Sequence, residues 1–442
     1  MEPGTGKTRI ALQLIYNRLL KGKINNVIWL CPCSVKEDMQ FNISGHISDA
    51  SIIHIYGIES LSQSDRLYFK LLDMAAKTKS YLVVDESDLA KNHFAKRTRR
   101  IERLAELCPY RIILNGTPVS KSEADLFAQW YILDKRILGY NSFWSFAANH
   151  IEYDEYGRPR RCLNVDYLSR KIEPYTYTVT KKECLALPEK RYMQRSFSLT
   201  QEQAQHYEET KDMLLSNVDE FDSTTIYKLF TGLQLICSGK HVLRINPLIS
   251  KPFFDNPHDN PRIQTLLEVL NSFENEKVIV WCKYKHEIDE IKQVLTQAFS
   301  PEVITEFHGG IGLKSRYKQL ERFRDTANFL LANKTCGGYG LNLQFCNNSV
   351  YYSNDFNWAT RSQSEDRIHR IGQDKEVNLF DICARSKIDT RILKNLWRKE
   401  SLSDSFKDEL RNGRGLSKWI DGIEEKGYDT DRIEQTGETV CT

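Results

Sequence analysis

The stretch that most constrains the fold is Glu-Pro-Gly-Thr-Gly-Lys-Thr at residues 2–8, directly before an amphipathic pattern that predicts a helix at 7–20. Gly4 and Gly6 let the backbone curl until its N–H groups face one anion, and Lys7 adds a point charge. The N-terminus of the following helix favours the same anion. We therefore predict a phosphate-binding loop, in which Gly4, Thr5, Gly6, Lys7 and Thr8 contact a nucleotide and the Thr8 hydroxyl binds Mg²⁺.

Short apolar runs alternate with helix-like patterns in both halves of the chain. Such runs are typical of parallel strands that are buried on both faces. A chain of 442 residues is too long for one hydrophobic core. We therefore predict an α/β fold with two parallel-sheet lobes. The predicted strands cover residues 27–31, 52–56, 81–84, 111–114, 278–281, 303–308, 329–332 and 349–352, and another at 175–179 is predicted to cross between the lobes.

These patterns divide the chain into a first lobe at residues 1–175, a second lobe at 176–400 and a charged tail at 401–442. We expect the tail to fray beyond Lys418. A phosphate-binding loop normally follows a buried strand, and no such strand precedes this one. We therefore expect the first lobe to be truncated at its amino end, without the pocket for the base of the nucleotide.

Asp85 and Glu86 follow directly after the predicted strand at 81–84. Ligands of open α/β sheets bind beyond the carboxyl ends of the strands. One carboxylate at this position can hold Mg²⁺, and a second can orient and deprotonate an attacking water. We predict these roles for Asp85 and Glu86 respectively, although a strand-end pair taken alone also fits a solvated loop start.

Arg367 and Arg370 lie in the stretch Gln-Ser-Glu-Asp-Arg-Ile-His-Arg-Ile-Gly-Gln at residues 363–373, which we call the arginine segment. Residues three apart share one face of a helix, so we predict that both guanidiniums point the same way. A planar, permanently charged group suits the charge that develops on a transferred phosphoryl group. We therefore expect the second lobe to present these arginines to a nucleotide in a cleft between the lobes.

Charge and cysteine content narrow the possible partners. The net charge of +3 is too small for a global field that attracts nucleic acid, so any such binding must come from local patches. One candidate patch comprises Lys91, Lys96, Arg97, Arg99 and Arg100, for which a solvated helix face is the alternative. No apolar run approaches a membrane span of about 20 residues. The 11 scattered cysteines indicate reduced thiols in a cytoplasmic protein.

The order of these motifs resembles the superfamily-two helicase-like motors, and in detail their Swi/Snf branch of double-stranded DNA translocases. The most specific match is the arginine segment with its His-Arg-Ile-Gly-Gln ending, and the resemblance covers residues 1 to about 400. The supporting matches are Lys91-Asn92, Leu114-x-Gly116-Thr117-Pro118, Leu187-Pro188, Ser238-Gly239 and Asp355-Phe356-Asn357-Trp358.

The resemblance implies two RecA-like lobes that use ATP and Mg²⁺ and hydrolyse ATP when duplex DNA is bound. It also implies stepwise movement along DNA by a monomeric motor, without strand separation. Phosphate and Mg²⁺ binding stay assigned to Lys7, Thr8 and Asp85, and activation of water stays assigned to Glu86. Arg367 and Arg370 become arginine fingers, Gln363 lines the same cleft, and Gly338 and Thr335 belong to a turn that couples DNA to nucleotide.

The sequence departs from the family pattern at two residues. Asp88 stands where the family usually has His or Gln, and Asn115 replaces the usual Thr or Ser before Gly116. Large insertions and chromatin-reading modules are missing, which indicates a compact prokaryotic or phage-type member associated with the nucleoid. Two alternatives stay open: a strand-separating DNA or RNA helicase, and an inactive fragment that only binds nucleic acid or protein partners.

Overall fold

A computed structural model describes residues 1–2, 4–46, 50–116, 123–153, 159–216, 223–245, 247–273, 275–334, 341–400, 402, 405–406, 409 and 416–422. The chain divides into two compact units. Unit 1 comprises Met1–Leu187 with the short stretch Tyr339–Leu341, and unit 2 comprises Pro188–Gly338 and Asn342–Thr442. Within the part of the chain that is described, no helix is both long and apolar enough to cross a membrane.

Unit 1 is built on a four-stranded parallel sheet in the order β2-β1-β3-β4. Its central strands are buried along their whole length because helices cover both faces. A small antiparallel hairpin, β5-β6, follows later in the unit. The strands are β1 (Asn26–Cys31), β2 (Ile53–Gly57), β3 (Ser80–Asp85), β4 (Tyr110–Leu114), β5 (Ile151–Tyr153) and β6 (Pro159–Cys162).

The helices of unit 1 lie on both sides of this sheet. They are α1 (Lys7–Leu20), α2 (Lys36–His46), α3 (Ser60–Gln63), α4 (Asp65–Lys77), α5 (Lys96–Leu107), α6 (Leu126–Leu133), α7 (Lys135–Leu138), α8 (Phe143–His150), α9 (Val165–Ile172) and α10 (Lys181–Cys184). Helix α1 packs Ala11, Leu12 and Ile15 against one face of the sheet, and α4 and α5 pack against the other. This packing holds the N-terminus of α1 in a fixed position on the sheet.

Unit 2 is built on a six-stranded parallel sheet in the order β11-β12-β10-β13-β14-β7, with a separate hairpin, β8-β9. Its core is one large cluster that combines both halves of the unit. The strands are β7 (Lys190–Phe197), β8 (Lys240–Ile245), β9 (Leu248–Pro252), β10 (Val278–Cys282), β11 (Ile304–Phe307), β12 (Phe329–Asn333), β13 (Asn348–Tyr351) and β14 (Val377–Ala384). The helices are α11 (Gln201–Ser216), α12 (Ser223–Cys237), α13 (Pro261–Asn271), α14 (Lys285–Ala298), α15 (Leu313–Asp325), α16 (Trp358–Glu365), α17 (Ile388–Arg398) and α18 (Leu416–Ile420).

The fold confirms the α/β class and both parallel sheets. The strand predicted at residues 175–179 is wrong, because a 3-10 turn at Glu173–Tyr175 leads into irregular backbone there. Polar and aromatic residues alternate in this segment, but aromatic side chains such as Tyr175 and Tyr177 are exposed, so the alternation does not mark a half-buried strand. Strands β7 and β14 were missed, although they pair in parallel over eight residues at the edge of the second sheet.

The residues at the end of the described chain pack into unit 2, so the fraying predicted beyond Lys418 does not apply to residues 419–422. Trp419 and Ile420 are buried in the core cluster. The Asp421 carboxylate accepts hydrogen bonds from the Tyr207 hydroxyl (3.0 Å) and the Lys211 ammonium (2.6 Å). These contacts fasten the segment to α11, which lies far earlier in the sequence.

Candidate active site

The phosphate-binding loop, residues 2–8, leads into α1, which begins at Lys7. Gly4 and Gly6 both have positive φ, 83° and 88°, a backbone region that side chains with a Cβ atom disfavour. The Glu2 amide donates to the Val179 carbonyl (2.9 Å), and the Glu2 carboxylate accepts from the Lys181 amide (2.7 Å). The loop is therefore fastened to the end of unit 1 by one backbone and one side-chain hydrogen bond of Glu2.

The N-terminus of α1 suits an anionic ligand. Gly6 precedes the helix, and among the described residues no side chain caps the first turn and no acidic residue lies in it. The first N–H groups of a helix lack intrahelical partners and attract negative charge. These residues fit the phosphates of a nucleotide, with the Lys7 ammonium, which now donates to the Met1 carbonyl (3.3 Å), as the available cation.

The acidic loop, residues 85–88, follows β3. Asp85 is the last residue of that strand and is buried. Glu86 has a left-handed backbone (φ 51°, ψ 57°), and its amide donates to the Asp85 carboxylate (3.1 Å). The Glu86 side chain therefore leaves the strand direction at the carboxyl end of the sheet, where an open α/β fold binds its ligands.

A hydrogen-bond network centres on Ser87, the buried residue that follows Glu86. The Ser87 hydroxyl donates to the Gln129 side-chain carbonyl (2.6 Å). The Asn115 side-chain amide lies 3.4 Å from the Ser87 hydroxyl and 3.3 Å from the same Gln129 oxygen. Asn115 was recognised in the sequence as a departure, whereas Gln129 was missed. The sequence signal for Gln129 was its polar side chain within the otherwise apolar run of α6.

Asp88, the other departure from the family pattern, has an unusual environment. Burial, followed by the nearby Glu86 charge, raises the pKa of Asp88 to about 6. Its buried Oδ1 atom has no hydrogen-bond partner among the described residues. This oxygen of Asp88 therefore takes no part in the hydrogen bonds around Ser87.

The basic run at residues 91–100 is largely engaged within unit 1. The Lys91 ammonium lies 3.7 Å from the Asp125 carboxylate, and the Lys96 ammonium lies 3.1 Å from Asp65. Arg100 also pairs with Asp65, and the Arg97 guanidinium donates to the Leu89 carbonyl (2.7 Å). Four of the five basic side chains thus have partners within unit 1, and a contact of this run with phosphates stays a prediction.

The arginine segment differs from its prediction. Helix α16 ends at Glu365, so Arg367 and Arg370 lie in the turns that follow the helix and not on one of its faces. Side chains of the segment fix this turn by binding backbone carbonyls. The His369 ring bonds the Pro188 carbonyl (2.8 Å), and the Gln373 amide donates to the carbonyls of Gln344, Cys346 and Ile368 (3.0–3.2 Å).

Both arginines are desolvated in this turn. Arg367 is buried and Arg370 is half-buried. Burial, and next the Arg367 charge, lowers the pKa of Arg370, while Asp366 opposes the shift. Two neighbouring cations in partly dry surroundings attract an anion strongly. Gln363 is half-buried on α16.

A buried ion network supports α16. The Arg361 guanidinium binds the Asp381 carboxylate on β14 (2.5 and 3.0 Å) and the Glu365 carboxylate (2.8 Å), and its charged carbon lies 3.3 Å from the centre of the Tyr351 ring. Glu365 also accepts from Lys190 on β7 (2.8 Å). Burial raises the pKa of Glu365, but the charges of Lys190 and Arg361 outweigh burial and hold this pKa at about 2.

Lys334 is a second buried cation near this network. Its ammonium donates to the Asn354 side-chain oxygen (3.2 Å), which Arg361 also contacts (2.9 Å). Burial, and next the Arg361 charge, lowers the pKa of Lys334 to about 7. In the unfolded chain the pKa of lysine is about 10.4. Folding therefore favours loss of this proton, and the charged form destabilises unit 2.

We expect Lys334→Met to stabilise unit 2 in a pH-dependent way. The penalty of the buried charge is fully present below pH 7, and it fades as the pH rises from about 7 to about 10.4. The gain in unfolding free energy should thus be about 2–4 kcal/mol at pH 6 and small above pH 10. Urea unfolding at several pH values measures it. Lys314→Met, on the surface helix α15, is the control, and an equal change at all pH values would contradict the expectation.

The structure places the predicted residues on both units. Gly4, Thr5, Gly6, Lys7, Thr8, Asp85 and Glu86 belong to unit 1, and Gln363, Arg367 and Arg370 belong to unit 2. Gly338 and Thr335 lie outside the described residues. No group of three or more His, Cys, Asp or Glu side chains that could hold a metal occurs in the described part of the chain.

Two domain families match the chain. Residues 33–242 match the SNF2-related domain, and residues 261–372 match the helicase conserved C-terminal domain. The first match contains the acidic loop and Gln129, and the second contains the arginine segment up to Gly372.

Several curated proteins are similar to this chain in sequence. The chain is 26% identical over 349 residues to the putative ATP-dependent helicase/translocase YwqA of Bacillus subtilis, covering 76% of this chain and 36% of that protein. It is 27% identical over 333 residues to the Zorya protein ZorD of Escherichia coli, covering 70% and 29%. The chain spans about a third of the length of the curated relatives it matches.

One solved structure that resembles the chain is the Sulfolobus solfataricus SWI2/SNF2 ATPase core in complex with dsDNA. It is 19% identical, with a TM-score of 0.39, and the match covers 96% of this chain and 89% of that chain. The similarity to SNF2-related proteins rests on the two domain matches and on the sequence motifs. The chain therefore consists largely of an SNF2-related domain followed by a helicase conserved C-terminal domain.

Proposed function

We propose that this chain is an ATP-driven translocase that moves along double-stranded DNA without separating its strands. The observation that carries the proposal is that each residue type needed for ATP hydrolysis occupies a fixed position. The phosphate-binding loop precedes an uncapped helix, Glu86 leaves the sheet at its carboxyl end, and Arg367 and Arg370 are held in a buried turn. Such an arrangement supports phosphoryl transfer to water.

In the proposed mechanism, the N–H groups at the start of α1 and the Lys7 ammonium bind the β- and γ-phosphates. Thr8 and Asp85 would hold Mg²⁺, which supplies positive charge to the phosphate oxygens when bound. Glu86 orients the attacking water and accepts its proton. Arg367 and Arg370 neutralise the charge that develops on the transferred phosphoryl group.

ATP hydrolysis by the purified chain tests the proposal, measured without nucleic acid and with single-stranded DNA, double-stranded DNA or RNA. We expect duplex DNA to raise kcat at least about tenfold and the other polymers to have smaller effects. Glu86→Gln is the control for contaminating ATPases. Turnover that is independent of nucleic acid would overturn the DNA-dependent motor, and a folded chain without any turnover would favour an inactive binding fragment.

Movement without strand separation needs a second assay. A translocase should displace a third strand from a DNA triplex during ATP hydrolysis and leave a forked duplex intact. A strand-separating helicase should open the fork. ATP-dependent opening of the fork would therefore favour the alternative helicase function.

A further inference from the structure

The backbone of Glu86 needs support from its surroundings. A residue with a Cβ atom at φ 51° and ψ 57° is in a sparsely populated region. Such conformations persist only where neighbouring contacts fix them, and they cluster at functional sites. The Glu86 amide bond to Asp85 fixes one side of the residue. The other side depends on what holds Ser87.

Ser87 is held by a side chain from a different element. Both Ser87 and Gln129 are fully buried, and the hydrogen bond between them is short, at 2.6 Å. The Gln129 amide in turn donates to the carbonyl of Asp125, the residue just before α6 (2.9 Å), which fixes the orientation of its side-chain carbonyl. The Gln129 oxygen is therefore a rigid acceptor directly behind the acidic loop.

Asn115 connects this acceptor to the neighbouring strand. β3 and β4 are paired so that Asp85 lies opposite Leu114, which places Asn115 beside the acidic loop. Its amide approaches both the Ser87 hydroxyl and the Gln129 oxygen. Side chains from three parts of unit 1 thus meet at Ser87, the residue after Glu86, whereas Asp88 has a buried oxygen without a partner among the described residues.

We propose that Gln129 is a positioning residue for ATP hydrolysis: through its hydrogen bond to Ser87 it holds Glu86 in the left-handed conformation that directs the carboxylate at the attacking water. The inference rests on the proposed function, in which Glu86 is the base. It assigns the anchoring of the acidic loop to Ser87, Gln129 and Asn115 and not to Asp88. Gln129 itself touches neither substrate nor metal.

Gln129→Met tests this assignment, because methionine has a similar length but cannot accept the Ser87 hydrogen bond. We expect kcat with duplex DNA to fall roughly 10- to 100-fold, as for a misplaced catalytic group, while KM for ATP changes less than about threefold. Ser87→Ala should have the same effect. The double variant should be no slower than the slower single variant, because both changes remove one shared bond.

Gln203→Met is the matched control. Gln203 is another fully buried glutamine, and its amide donates to the Ile236 carbonyl in unit 2 (3.2 Å). This control should lower thermal stability and leave kcat unchanged below the unfolding temperature. If the unaltered chain hydrolyses ATP and Gln129→Met keeps its kcat, the positioning role is overturned and the proposed function stands.

Amide hydrogen exchange separates the inference from a failure of the proposed function. The Leu89 amide donates to the Glu86 carbonyl (3.0 Å), so its exchange reports the conformation of the acidic loop without any turnover. We expect Gln129→Met and Ser87→Ala to accelerate exchange at Leu89 at least about tenfold relative to Gln203→Met. Unchanged exchange at Leu89 would overturn the inference even in a chain that never hydrolyses ATP.

Discussion

Glu86→Gln is expected to lower kcat for ATP hydrolysis about 10²- to 10⁴-fold, the usual contribution of a general base. The amide keeps the size of the side chain and its left-handed backbone but cannot accept the proton of water. Binding of ATP should change little, because the proposed phosphate contacts come from α1 and Lys7. Single-turnover hydrolysis and titration with a fluorescent ATP analogue measure the two quantities separately.

The matched control for this prediction is Glu106→Gln. Glu106 is an exposed carboxylate that pairs with Arg103 near the end of α5, and its replacement should leave kcat unchanged. If Glu86→Gln retains more than about a third of the turnover, another group accepts the proton and the assignment of Glu86 is wrong.

Arg361→Met is expected to destabilise unit 2 by about 3–5 kcal/mol, because it leaves the buried Asp381 carboxylate without its guanidinium partner and Glu365 with Lys190 as its remaining cation. Asp381 and Glu365 are each 1% exposed, so water cannot replace the guanidinium. The loss should also release the turn that carries Arg367 and Arg370, since Glu365 is the last residue of α16. Urea unfolding followed by tryptophan fluorescence measures the change.

Arg191→Met provides the comparison. Arg191 lies on β7 and pairs with Glu376 at the surface (2.8 Å), where both side chains are about half exposed. An exposed ion pair contributes less than about 1 kcal/mol. Equal destabilisation by the two variants would show that the Arg361 network contributes no more than a surface pair.

The sequence predicted the sheets well because parallel strands carry a local signal. The buried strands at β1, β3, β10 and β12 are continuous apolar runs, and each could be recognised without knowledge of its neighbours. β7 carries no such signal, since most of its side chains are exposed or half-buried. Its strand character comes from pairing with β14, a distant part of the chain.

The same distinction explains the candidate site. Gly4, Lys7 and Glu86 belong to short motifs whose chemistry can be read locally. The turn at Arg367 and Arg370 depends on carbonyls at residues 188, 344 and 346, which accept hydrogen bonds from His369 and Gln373. The spacing of the two arginines predicted a helix there. The prediction was wrong because spacing contains no information about such long-range acceptors.

The pairing of β7 with β14 determines when each unit can fold during translation. β7 is synthesised well before the strand beside it, which is made only when residues 377–384 appear. The four strands of the first sheet are complete at Leu114. Unit 1 can thus acquire its sheet while most of unit 2 is still being synthesised. Unit 2 must wait until Trp419 and Ile420 have left the exit tunnel, so its apolar strands, the first of which is β10, must avoid association while residues 283–420 are added.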